Sequence, residues 1–357
     1  MFSLPVLEDQ LAHYVNGGSA EAFANPFDFA NVPIVTREQS LAEDRTKKLT
    51  TATPTLKAPS LGPKKTEAGA AVAEAAREQA ATSQKYAQTL SAIPELAEFG
   101  ALLKSSPVAE LTESETEYVV TAVKHLFKDH VVLQFDIKNT LPDFILADVS
   151  VVCTASAPET EDGEEGSTGL EDEFFIPVPL IRADEPGTCY VSFARPEGEA
   201  FSTASFTNVL KFNLREIDPA TGEPEDDGYE ENYEVDALEL TGADYVLPAF
   251  AGAFEPVWNA LEGADEAEET LQLDAVKSIQ EAVELLVKVM GMQPLEGSEV
   301  ALSTSTHNLR LCGRSVTSGR VAGSVRMAYS AKSGVTVKIV VRSEEQGLAA
   351  AVVGAVA

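Results

Sequence analysis

One tryptophan, Trp258, and three cysteines, Cys153, Cys189 and Cys312, are all that 357 residues hold of those two types. An odd number of cysteines, scattered through apolar runs, excludes a disulfide framework and reads as reduced core residues of a cytosolic protein. Histidine is scarce too. His13, His125, His130 and His307 form no helix-spaced pair beside a carboxylate, so neither a metal centre nor a general base is expected. The Walker, dinucleotide-binding, nucleophile-elbow and cysteine-pair motifs are missing, and the glycines between 313 and 323 sit in a strand–turn–strand pattern that reads as a hairpin. No enzyme activity and no cofactor are expected. The apolar run over residues 347–357 is too short to cross a bilayer, which takes about 20 residues, and reads as a packed terminal helix. The N-terminus lacks a charged segment followed by an apolar one, so no secretory signal is expected.

Positive charge is in short supply. Against 57 Asp and Glu stand 26 Lys and Arg, a net charge of −31, which argues against nucleic acid and against adhesion to anionic lipid. Yet residues 301–343 contain no Asp or Glu, and they hold Arg310, Arg314, Arg320, Arg326, Lys332, Lys338 and Arg342. Such a stretch sets up a local positive field that attracts an acidic peptide. The competing reading is that these cations neutralise acidic surfaces of their own fold.

Along the chain, Leu4, Leu7, Leu11 and Tyr14 mark one face of a short helix that has no partner within the first hundred residues. Asn25-Pro26-Phe27 has the form of a short peptide motif, of a kind that arises often by chance. Residues 33–110 read as a flexible linker, rich in Thr, Pro, Ala and Lys, with an Ala-rich segment at 65–91 whose helix is transient. Strands begin near residue 111. In residues 131–138, Val131, Leu133, Phe135 and Ile137 alternate with Val132, Gln134, Asp136 and Lys138, giving one core face. Similar runs at 149–153, 174–178, 188–193 and 210–214 predict an antiparallel β-sandwich over 111–233. Acidic loops separate them, one at 159–173, expected to be mobile. In another, Glu223, Glu225, Asp227, Gly228 and Glu234 fall at positions 1, 3, 5, 6 and 12 of a calcium loop. Pro224 at the second position and flanking strands make it a hairpin loop instead. From 234 to 357 strands and helices alternate, with strands at 309–316, 321–329 and 335–341 and a last helix from 344, which predicts an α+β unit.

The tryptophan lies in the stretch 251–292. Residues 253–258 read as a short helix or turn and 270–273 as a brief strand. Residues 274–292 read as a helix whose Ile279, Val283, Leu286, Val287 and Met290 form one apolar stripe, with Asp274 as its cap and Gly291 as its stop. The pattern around Trp258 suits a core position as well as an exposed one.

Several motifs go beyond class. Leu111-Thr112-Glu113-Ser114-Glu115-Thr116-Glu117-Tyr118-Val119-Val120, Gln134-Phe135-Asp136, Asn139-Thr140-Leu141, Pro186-Gly187-Thr188-Cys189-Tyr190, Asp218-Pro219-Ala220-Thr221-Gly222-Glu223, Phe254-Glu255 with Trp258, and Val341-Arg342-Ser343 resemble the C-terminal appendage of coatomer gamma subunits, components of the COPI vesicle coat. The resemblance runs from about residue 111 to the C-terminus. A weaker one assigns residues 1–32 to the end of the family's helical trunk, most of which is expected to be missing here. It implies an immunoglobulin-like sandwich followed by a platform subdomain, as in the ears of clathrin adaptors. It also implies a protein-binding site in which a tryptophan and a basic residue, here Trp258 and Arg342, receive acidic or aromatic motifs of accessory proteins such as Arf GTPase-activating proteins. Phe254, Arg326 and Lys338 complete the expected surface. The implied setting is the cytoplasm and the cytosolic face of the Golgi, in retrograde Golgi-to-ER and intra-Golgi transport. Membrane association there is peripheral, through the assembled coat, with other coatomer subunits contacted through the trunk. The alternatives are an ear of the clathrin-adaptor type and a purely structural coat module.

Overall fold

The computed structural model describes residues 81–157, 168–183, 185–195, 201–225, 227–330 and 334–356. The expected helix at 3–15, the Asn25-Pro26-Phe27 motif and most of the 33–110 linker lie outside them. Two antiparallel sheets make the first half. One is ordered β1 (Lys104–Ser105), β3 (Tyr118–Leu126), β4 (His130–Asn139), β8 (Gly187–Ala194) and β6 (Glu171–Ile176), with β2 (Ala109–Glu110) also on β3. The other is ordered β10 (Tyr229–Leu240), β9 (Ala204–Glu216), β5 (Phe144–Ser156) and β7 (Val178–Ile181). Alternation places Phe135, Ile137 and Phe193 of one sheet against Leu146, Phe206 and Leu210 of the other, and the Phe193 and Phe206 rings pack 5.0 Å apart. The Asn139-Thr140-Leu141 motif is a turn device. The Asn139 amide donates to the Phe144 carbonyl and its oxygen accepts from the Leu141 N–H, which closes the step from β4 to β5.

Three local expectations change. Residues 171–173 belong to β6 rather than to an acidic loop. The sandwich strands continue to Leu240 in β10, so Glu234, the last residue of the calcium-loop pattern, is a strand residue opposite Val209. And β4 is covered on both faces: Val132 is buried although the alternation places it outside, because residues 81–91 are helical (α1) and dock there with the turn α2 (Pro94–Ala97). Leu90, Leu96, Phe127, Val132 and Tyr190 form this outer cluster. Burying each such side chain is worth roughly 1.5–3 kcal/mol, which holds the helical residues 81–91 in place although their apolar stripe is weak.

Beneath α1 runs a buried polar chain. Gln134 donates through Nε2 to Asp136, 2.9 Å away, so its carbonyl faces His125, whose Nε2 lies 3.1 Å from it. His125 Nε2 therefore carries the proton, and Nδ1 accepts from the Ser105 hydroxyl at 2.8 Å. Burial holds the imidazole neutral and pushes its pKa down to about 4. Between about pH 6.5 and pH 4 the unfolded chain thus binds a proton that the folded chain refuses, and stability falls as pH falls through that window. His125→Gln is expected to flatten this loss by about 1–3 kcal/mol, read as the difference in urea-unfolding free energy between pH 7 and pH 4.5. Equal pH slopes for the two proteins would refute it.

The second half is one sheet, ordered β11 (Val246–Pro248), β14 (Thr306–Ser315), β15 (Arg320–Ser330), β16 (Gly334–Ser343) and β12 (Asp265–Leu273), with β13 (Gln293–Pro294) on β14. Its inner face, with Leu309, Leu311, Val325, Ile339 and Val341, packs under α4 (Ile279–Met290) and α5 (Leu348–Gly354). The apolar stripe of α4 is buried at Ile279, Val283, Leu286 and Met290, and Gly291 ends it at φ +63°. Its cap is Ser278, which accepts from the Glu281 N–H, rather than Asp274. The turn Gly242–Tyr245 joins the halves. There Lys124 pairs with Asp244 at 2.6 Å, the Tyr245 hydroxyl donates to the Ser202 carbonyl, and Lys104 donates to the Ala243 and Val246 carbonyls. Burial lowers the Lys104 pKa to about 8. The cysteines are free and buried, as expected.

Candidate protein-binding site

The outer face of the second sheet is made of rows set by strand register. One row runs Cys312, Ala322, Arg342 and Glu266; the next runs Arg310, Ser324, Val340 and Glu268; a third runs Asn308, Arg326, Lys338 and Thr270. Helix α3 (Phe254–Ala260) lies over the first row, where Ala322 and the Cys312 side chain are small enough to let it approach. No side chain of its own caps α3. Glu296 does so from the loop after β13, accepting the Phe254 N–H at 3.0 Å and pairing with Arg310. The Phe254 amide first, then Arg310, hold the Glu296 carboxyl below the ordinary carboxylate range.

Phe254 corrects one expectation. It is 4% exposed, packed with Leu261, Leu295, Cys312 and Ala322, and out of reach of a partner. Its role is support: one helical turn on, the half-buried Trp258 ring stacks on it with centroids 5.3 Å apart. The Arg342 guanidinium lies 4.2 Å from the centre of the indole, donates to the Trp258 carbonyl at 3.3 Å and pairs with Glu266. An indole clamped this way has one orientation before any partner arrives, which lowers the entropy lost on binding.

The basic stretch divides. Arg310, Arg320, Lys338 and Arg342 pair with Glu296, Glu344, Glu268 and Glu266, acids drawn from outside it, so part of its field is neutralised by its own fold. Arg314 and Arg326 are exposed and have no acidic partner among the described residues. Lys332 lies outside them. Glu266, Glu296 and Arg310 escaped sequence reasoning as site residues. Arg310 carried a signal, its place in the acid-free stretch; the two glutamates, in a chain this acidic, carried none.

Two family models abut on this chain. That of the coatomer gamma subunit appendage platform subdomain matches residues 84–241, and that of the coatomer subunit gamma-1 C-terminal appendage platform matches residues 243–356. Their junction falls at the Gly242–Tyr245 turn between the two halves. Among curated relatives, a probable coatomer subunit gamma of Schizosaccharomyces pombe is 35% identical over 99% of this chain and 37% of its own length. Coatomer subunit gamma-2 of Oryza sativa is 37% identical over 96% of this chain and 35% of its own length. Coatomer subunit gamma-1 of Bos taurus is 36% identical over 96% and 36%. The chain spans a little over a third of the length of these relatives. With both appendage halves matched in order and the likeness extending over nearly every residue, the chain belongs to the coatomer gamma subunit family of the COPI coat.

Proposed function

We propose that this appendage recruits accessory proteins to the COPI coat by capturing short acidic or aromatic segments at Trp258 and Arg342, with Arg326 and Lys338 alongside. One observation carries the reading: a half-buried indole held at 4.2 Å by an arginine on an outer sheet face. A flat ring offers apolar contact at low entropy cost, and the arginine adds a charge-assisted bond to a carboxylate. The partner class is the Arf GTPase-activating proteins, and the setting is the cytosolic face of the Golgi during retrograde and intra-Golgi transport. Membrane association is peripheral and passes through the assembled coat, and the trunk contacts the other coatomer subunits. The role is that of a non-enzymatic adaptor without a cofactor. Membership in the coatomer family stands against a clathrin-adaptor ear. The internal pairing of Lys338 and Arg320 favours a second reading, a module that packs within the coat and recruits nothing. Arg342→Gln separates the two. Capture of an Arf GTPase-activating protein is expected to weaken about tenfold to a hundredfold, the worth of one charge-assisted hydrogen bond. Unchanged capture, or recovery of coat subunits alone, favours the structural module.

A further inference from the structure

We propose that the same sheet face carries a second anchor point, built by Arg326, Val300 and Leu302, for an apolar residue beside a carboxylate about four residues along the captured peptide. This deepens the reading above and rests on it. Beyond α3 the third row of the face is open: Asn308 and Arg326 are exposed, and α4 and α5 lie on the other side of the sheet. A cavity of about 570 Å³ opens there, lined by Glu296, Val300, Leu302, Asn308, Arg310 and Arg326 among others. Leu302 is 95% and Val300 54% exposed, and the loop bearing them is pinned. The Ala301 N–H donates to Gln280 at 2.9 Å, the Gln280 amide donates to the Glu299 carbonyl, and His307 bonds the Ser298 carbonyl at 2.7 Å. Apolar side chains presented on a held backbone lose little freedom when a partner covers them.

Charge complementarity identifies the occupant as an acidic segment, since Arg326 has no acidic partner among the described residues in a chain of net charge −31. The cavity is continuous with the first site. Arg310 lines it and lies 5.8 Å from the centre of the Phe254 ring, and Glu296 lines it and caps α3. From Arg342 to Lys338, the register neighbour of Arg326, is four residues of β16. At 3.3–3.4 Å per residue that is roughly 13 Å, the span of four residues of an extended peptide lying along the strands. One rigid segment can therefore seat an aromatic residue at Trp258 and an apolar one at Leu302, with a carboxylate at each arginine.

The test uses fluorescently labelled synthetic peptides and the full chain. Each peptide keeps an Asp-Phe anchor and places an Asp-Leu anchor two to six residues further on in a Gly-Ser background; a single-anchor peptide replaces the second by Gly-Ser. The expected result is a gain of about tenfold over the single-anchor peptide at a spacing of four, smaller at the others. Val300→Ser and Leu302→Ser, both exposed and expected to melt with the parent, should each remove the gain and leave single-anchor binding within about twofold. A gain that is absent, the same at every spacing, or kept by both variants overturns the second anchor while single-anchor binding still supports the first. Failure of the single-anchor peptide to bind, or equal binding by Trp258→Ala, overturns both.

Discussion

Trp258→Ala is expected to abolish capture of an Arf GTPase-activating protein by the full chain while leaving the fold in place. Truncating a central aromatic anchor typically costs 2 kcal/mol or more of binding, about thirtyfold or beyond. The loss here should lie at the upper end, because Arg342 is aligned by the same ring and by the Trp258 carbonyl, so its carboxylate-binding geometry goes as well. The cost to stability is smaller. The ring is half-buried, and Phe254, Leu261, Leu295, Cys312 and Ala322 keep α3 packed without it. A loss of about 1–2 kcal/mol corresponds to a melting point lower by a few degrees. Calorimetry and a pull-down on the same sample decide the matter. A collapse of the cooperative transition would make Trp258 a core residue, and intact capture would place the binding surface elsewhere.

Gly242→Ala is expected to be strongly destabilising without touching the binding site. A Cβ at this position would lie 2.1 Å from the Ala351 carbonyl carbon and 2.4 Å from the Val352 nitrogen, both backbone atoms of α5. Neither is a flexible side-chain end that could swing away. Helix α5 would have to lift, and Leu348, Ala349, Val352 and Val353, all buried, would lose contacts. The turn also holds Asp244 against Lys124 and Tyr245 against Ser202, so strain there spreads into the junction between the halves. Overpacking against immobile backbone puts the cost at about 3 kcal/mol or more, a fall of roughly 6–12 °C. Gly252→Ala is the control: nothing lies within 4 Å of its added methyl, and it should melt with the parent. Melting points for the two variants within about two degrees of each other would remove the argument.

Local pattern carried far in this chain. The alternation from Val131 to Ile137 placed the inward face of β4, and the stripe from Ile279 to Met290 placed the buried face of α4 and its stop at Gly291. Where it misled, a distant segment had intervened. Val132 looked like an outward position and is buried because α1, some forty residues earlier, covers it. Phe254, which the family resemblance put on the contact surface, is held inside by Leu295, Cys312 and Ala322.

By itself the sequence determined the two-part β-rich architecture, the family, and a short list in which Trp258 and Arg342 stood first. The architecture follows from residue periodicity, and the family and the short list from motifs that resemble that family; all of these signals are local. Tertiary structure alone decided how these two meet, with the Arg342 guanidinium 4.2 Å from the centre of the indole and bonded to the Trp258 carbonyl, that Glu296 starts α3, and that Arg326 stands open while Lys338 is paired. Those facts depend on strand register and on which loop closes over which face, and a sheet's neighbours across its strands are set by the whole chain's packing rather than by any one segment.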